Sequence, residues 1–257
     1  MQTFGTMAKP TARWPSVVLI VAFALAVVSV GAMLLSGPGY QSGLWHFRTG
    51  FMIIRWAFWG ALAAAVLAAI GFVLPGDRAR LAAVLGGLGL IIGLLGAYVP
   101  WSWKRTLDSV PYIHDITTDL DNPPAFVAVK SLRKEGDHPV TYDGPEVAAQ
   151  QRTAYPELGP LVLSEAPGKV FEASKRVVSK MGMELVDANP QELRVEATDT
   201  SRFYGFKDDI VVRITPKGEG SQVDVRSKSR VGRSDLGQNA KRIRTFLAEL
   251  RTTVQGG

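Results

Sequence analysis

The chain has 257 residues, 47% of them hydrophobic, and its 29 basic and 23 acidic groups leave a formal charge of +6. That length holds one or two domains. The lack of any cysteine excludes disulfides, thiolate metal sites, a cysteine nucleophile and an acylated N-terminal cysteine.

The charge is unevenly laid out. Residues 1–100 hold Lys9, Arg13, Arg48, Arg55, Arg78 and Arg80 against Asp77 alone, and the other 23 basic and 22 acidic groups follow. An apolar, nearly uncharged part before a balanced polar part reads as a membrane region (1–100) joined to a water-facing domain. Residues 16–35 are twenty positions without a charge, enough to cross a hydrocarbon core of roughly 30 Å. Residues 51–74, with Arg55 near the start, and 81–99 are predicted as the second and third spans. A cleaved signal is the competing reading of the first run, but its apolar core is longer than a signal's and no small-x-small site follows.

Gly60, Ala64 and Ala68 in the second span, and Gly89 and Gly93 in the third, recur every four residues. That spacing suits close helix packing inside a three-helix bundle, in preference to a dimer face. No span carries a central acid, histidine or lysine, which argues against transport. Lys9, Arg13, Arg78 and Arg80 fall on one side; Arg48, Lys104 and Arg105 fall on the other. The positive-inside rule then puts the N-terminus in the cytoplasm, by a narrow margin, and the C-terminal domain across the membrane. The expected location is the inner membrane of a bacterium, with the domain in the periplasm.

Residues 101–124 read as a connector ending in Asn122-Pro123-Pro124, and 125–257 as the domain. Between 125 and 168 only 145–154 looks helical, with Pro145 in its first turn; the rest is expected to wrap the domain or form a surface of its own. From residue 167 the pattern sharpens. Val170, Phe171, Ser174, Val177, Val178 and Met181 make one helical stripe, ended by Gly182. Strands are predicted at 183–187, 192–198, 209–215 and 222–229. Ile210, Val212, Ile214, Val223 and Val225 point to one face. Asp209, Val211, Arg213, Asp224, Arg226, Lys228 and Arg230 point to the other. Ser234 or Asp235 caps a last helix whose Leu236, Ala240, Ile243, Leu247 and Leu250 form a second stripe. The predicted fold class is α+β: a three-helix transmembrane region, then a two-layer sandwich of a four-stranded antiparallel sheet with two helices on one face. Its other sheet face is expected to be open, wet and mixed in charge.

Between Arg226 and Arg251 there are eight Lys or Arg against two acids. Most of that excess is the polar side of a strand and a helix. The stretch Arg230-Val231-Gly232-Arg233-Ser234-Asp235 stands apart, because two arginines and a glycine lead into a helix start, where free N–H groups favour an anion. Arg226, Arg230, Gly232, Arg233 and Ser234, with Asp208 and Asp209, are therefore the candidate binding residues. His114, Asp115, Asp119 and Asp121 are weak metal candidates, since the cluster has no calcium-loop spacing and suits turns. Asp208 and Asp209 are adjacent on a strand and point to opposite faces, so a catalytic pair is disfavoured. No nucleophile elbow, phosphate loop, dinucleotide fingerprint or HExxH motif is present. No cofactor and no catalytic residue is assigned. A domain with 23 basic and 22 acidic groups lacks the excess that nucleic-acid binding needs.

The runs "IHDITTDLDNPPAF", "YGFKDDIVVRI" and "VDVRSKSRVGRSDLGQNAKRI" resemble the family called domain of unknown function 1499, over about residues 112–250. The resemblance implies an extracytoplasmic domain, as in relatives that are lipoproteins or lumenal proteins, and carries over no activity. The expected function is a membrane-held binding or scaffolding domain. Its expected partners are the lipid bilayer and another membrane or periplasmic protein or a small anionic ligand. The alternatives are a hydrolase-like enzyme using Asp208, Asp209 and the arginines, or an accessory subunit of a membrane complex.

Overall fold

The computed structural model describes residues 13–256, and the chain divides after Lys104 into two compact units. Lys9, one of the cations used to orient the spans, lies outside the described residues. Helices α1 (Trp14–Gln41), α2 (Phe47–Val73) and α3 (Arg80–Ser109) are each long and apolar enough to cross a bilayer. Their packing is inverted relative to a water-soluble bundle. Small residues are inside, with Ala22, Ala26, Ala61, Ala64, Ala68 and Gly86 buried, while Val28, Leu34, Trp56, Leu81 and Leu95 face outward. That suits a solvent as apolar as the side chains, where close backbone contact holds helices together. A Cβ on Gly89 would stand 2.8 Å from Phe23 Cα, and one on Gly93 would stand 2.7 Å from Ala61 O. The glycine spacing thus serves packing within the bundle. Arg78 donates to the carbonyls of Gly71, Phe72 and Leu74 and so closes the end of α2.

The second unit is an α+β domain built on one antiparallel sheet. Its strands are β1 (Asp115–Thr117), β2 (Leu161–Leu163), β3 (Glu184–Asn189), β4 (Arg194–Thr200), β5 (Lys207–Lys217) and β6 (Gly220–Ser229), and its helices are α4 (Pro145–Ala154), α5 (Pro167–Lys180) and α6 (Gln238–Gln255). The order across the sheet is β1-β6-β5-β4-β3, with β2 also pairing β6. There are six strands where four were predicted. The two extra strands are three residues each, too short for alternation to mark them. They lie end to end along one edge of β6, β1 against Lys228 to Arg226 and β2 against Val223 to Ser221. β1 therefore places part of the expected connector inside the sheet. On α4, the Gln151 side chain accepts from Thr117 N (3.0 Å) and donates to Thr117 O (2.6 Å), closing the free edge of β1.

Helices α5 and α6 cover one sheet face. Val170, Val177 and Phe171 from α5, and Ile243, Phe246 and Leu250 from α6, share a core with Val195, Ile210, Val212, Val223 and Val225. The faces expected from the alternation of β5 and β6 hold at each of these positions. The start of α6 differs. Leu236 lies before the helix at φ +55° and Gly237 at φ +77°. Asp235 reaches across the turn and accepts from Gly237 N and Asn239 N, both at 2.8 Å.

The second sheet face is not open. A strap formed by residues 118–144 crosses it, beginning where Thr118 exchanges hydrogen bonds with Val225 through both N and Oγ1, each at 2.9 Å. The strap contains one 3-10 turn, Ala128–Leu132. A small second core of Phe126, Val129 and Val211, with Val140 and Val186, lies under it. Alternation along a strand tells which side a residue takes. It says nothing of what covers that side.

Candidate functional site

The charged residues gathered on this second face are buried. Glu196, Asp209, Lys228 and Asp115 have no exposed surface, and Arg226 is 2% exposed. Such burial requires close pairing. Arg226 makes a two-pronged contact with Asp115, Nε to Oδ1 and Nη2 to Oδ2 at 2.8 Å each. Its remaining donors reach Pro124 O (3.2 Å) and Val140 O (3.0 Å) of the strap. Phe126 and Tyr142 lie on the guanidinium, with centroids 4.9 and 5.3 Å away. Burial pushes the Tyr142 phenol up to about 12.

Lys228 Nζ donates to Thr141 O (2.7 Å) and Asp143 Oδ1 (2.6 Å) and stands 3.2 Å from Asp115. Arg230 grips Asp209 through Nε and Nη2 and donates to Leu132 O at 3.1 Å. Asp209 also receives Thr198 Oγ1 (2.8 Å) and Arg133 Nε (3.0 Å). Glu196 accepts from Val127 N and Val129 N, each at 2.9 Å, at the start of the 3-10 turn, and from Arg194. Sheet cations thus hold strap carbonyls, and a sheet carboxylate holds strap amides. The lattice fastens the strap from both signs of charge.

At one end of the strap two imidazoles stack. His114 and His138 have ring centroids 4.0 Å apart and planes at 26°. His138 Nε2 is 2.8 Å from Gly232 O, and His138 N donates to Arg230 O at 2.7 Å. His114 Nε2 is 3.3 Å from Asp143 Oδ2, yet the alignment makes no hydrogen bond and the nitrogen is buried without a partner. Burial is the largest influence on His114 and lowers its pKa; the His138 ring lowers it further, against Asp143 and Asp115, which raise it.

The candidate binding residues do not converge. Arg226, Arg230 and Asp209 are under the strap in the pairs above. Asp208 takes the opposite face and receives Arg242 Nη2 at 2.7 Å, as does Asp199. Gly232 (φ +90°) and Ser234, which accepts from Leu236 N at 3.3 Å, lie in the loop from β6 to α6. Arg233 is exposed in that loop and makes no hydrogen bond or ion pair among the described residues. The metal candidates separate as well. Asp115 holds Arg226. Asp119 receives Arg213 Nη2 at 2.8 Å and the amides of Asp121 and Asn122. The Asp121 side chain is 97% exposed, 3.8 Å from Arg152. Among the described residues no group of three or more acids or histidines is placed to hold a metal ion.

Residues that sequence reasoning passed over include Arg133, His138 and Asp143 of the strap, and Asn239 and Arg242 of α6. Asn239 has no exposed surface and joins His114 O, Ser227 Oγ and Ser229 Oγ. One signal for the strap was available. A long irregular stretch with its own acids and arginine stood beside a strand face carrying more charge than a two-layer sandwich should leave uncovered.

The family model described as "Protein of unknown function (DUF1499)" matches residues 115–250, beginning at the first residue of β1. The match covers more than half of the chain, and the chain belongs to that family. No curated protein matches. Among solved structures, Ara h 8.0201 shows 12% identity and a TM-score of 0.29, covering 38% of this chain and 95% of that one. TTHA0849 from Thermus thermophilus shows 13% identity and a TM-score of 0.26, with the same coverages.

Proposed function

We propose that this member of the DUF1499 family is a multi-pass protein of the bacterial inner membrane whose α+β domain works in the periplasm as a binding or scaffolding module. The observation that carries this reading is the use made of the domain's polar groups. Every arginine, lysine and carboxylate proposed from sequence on the sheet, Asp208 included, is engaged by another residue of the domain. Of the three candidate binding arginines, Arg233 is the exposed one. That pattern suits a rigid module that recognises a partner or a small anion through its surface better than hydrolase-like chemistry at Asp208 and Asp209. Three spans, more than an anchor needs, also suit an accessory subunit of a membrane complex.

Two experiments test the reading. Alkaline phosphatase fused after Thr106 is expected to be active and after Arg80 inactive; the reverse pattern would overturn the periplasmic placement. Cross-linking in intact membranes followed by mass spectrometry is expected to recover partner peptides attached to residues 231–238, the loop that carries Arg233. Cross-links confined to α1 to α3 would favour the accessory-subunit reading.

A further inference from the structure

We propose that the stacked His114–His138 pair is an acid-sensitive latch, holding the 133–143 part of the strap closed at neutral pH and loosening it in mild acid. The inference goes beyond the proposed function and is independent of which side of the membrane the domain occupies.

The geometry places the pair where strap, sheet and loop meet. His114 immediately precedes β1, and His138 belongs to the strap. His138 is fixed by three backbone bonds: its N to Arg230 O, its Nε2 to Gly232 O, and Arg133 Nη1 to its O at 2.6 Å. The charged neighbours come from every element packed there. Asp115 is on β1, Lys228 on β6, and Asp143 and Arg133 on the strap. Asp115 is taken by Arg226, and Arg133 and Arg230 are both taken by Asp209. Asp143 already binds Lys228 through Oδ1 at 2.6 Å. Asp235, whose N is 3.4 Å from Ile113 O, is committed to Gly237 N and Asn239 N.

A proton added to His114 therefore creates a cation stacked on a second imidazole and close to Lys228. The acid nearest to it is already neutralising another charge. His114 is only 13% exposed, so water does not screen the new charge. With the strap lifted, the His114 ring is exposed to water and takes up a proton more readily.

The sign follows from linkage. His114 is held below its ordinary value of 6.5 while the strap is closed. The open form binds more protons below that pH. Closure is at full strength above about 6.5 and weakens as pH falls from there toward the lowered value. One proton taken up on opening changes the closed-to-open ratio by about tenfold per pH unit. Opening of this segment removes Val140 O from Arg226, and Thr141 O and the Asp143 carboxylate from Lys228, and bares that part of the face.

The test is amide hydrogen exchange with mass spectrometry on the full-length chain in lipid nanodiscs between pH 7.5 and 5.5, corrected for intrinsic exchange. Protection of residues 133–143 is expected to fall as the pH drops below about 6.5, with a slope no steeper than about tenfold per unit, while β5 and β6 keep theirs. His114→Phe retains a ring against His138 without the titrating group, and its strap protection is expected to be independent of pH. His138→Gln, which keeps a donor for Gly232 O, is expected to make the profile shallower without abolishing it, because burial still lowers the His114 pKa. Wild-type protection constant within twofold from pH 7.5 to 5.5 would overturn the proposal. So would both variants losing protection as steeply as wild type, which would assign the effect to Asp115 and Asp143.

Discussion

Replacing Arg226 with alanine tests whether the strap is held by buried charge. The substitution removes the two-pronged bond to Asp115, the donors to Pro124 O and Val140 O, and the cation between Phe126 and Tyr142. Asp115 then keeps Lys228 at 3.2 Å and Asp143 N at 3.3 Å, with no exposed surface of its own. Leaving a carboxylate buried with its main partner gone costs roughly 3–5 kcal/mol. At 2–4 °C per kcal/mol for a domain of this size, the melting temperature should drop by roughly 6–20 °C. All six tryptophans lie at or before Trp103, so tryptophan fluorescence follows the other unit. The suitable readout is loss of amide protection in β5 and β6 peptides as the full-length protein is heated in detergent. The double change Arg226→Met with Asp115→Leu removes both charges and keeps apolar bulk, and most of the loss is expected to return. A single-variant drop below about 3 °C, given the same conversion, or a double variant as unstable as the single one, would refute the argument.

Three further outcomes are expected. Glu196→Gln weakens the hold on Val127 N and Val129 N and leaves Arg194 without a charged partner on that side; a loss of roughly 1–3 kcal/mol should appear with faster tryptic cleavage at Lys130, Arg133 and Lys134. Gly89→Leu drives a side chain into the Phe23 backbone, and overpacking of roughly 1–3 kcal/mol should lower the temperature at which the protein aggregates in detergent; an unchanged temperature would mean that α3 does not pack there. Arg233→Ala should leave domain stability within about 0.5 kcal/mol, in contrast to Arg230→Ala, because Arg233 is exposed and unpaired.

The sequence alone determined the elements whose residues repeat. Three long, nearly uncharged runs were best satisfied by helices in an apolar solvent, because a backbone without water must bond within itself. The stripes of α5 and the alternation of β5 and β6 settled which side chains enter the core, since a slip of one residue would have exchanged the faces. The family resemblance was legible for the same reason, its motifs lying along those strands. Tertiary structure alone decided what became of the polar face. Arg226, Lys228 and Arg230 look the same in a string of letters whether they face water or a strap. Their partners Asp115, Asp143 and Leu132 are about a hundred residues away, with no period to announce them. β1 and β2 were hidden likewise, being three-residue segments that exist only because β6 offers them an edge. Periodicity records a residue's relation to its own element, and the pairing of buried charges depends on which distant segment the fold lays across it.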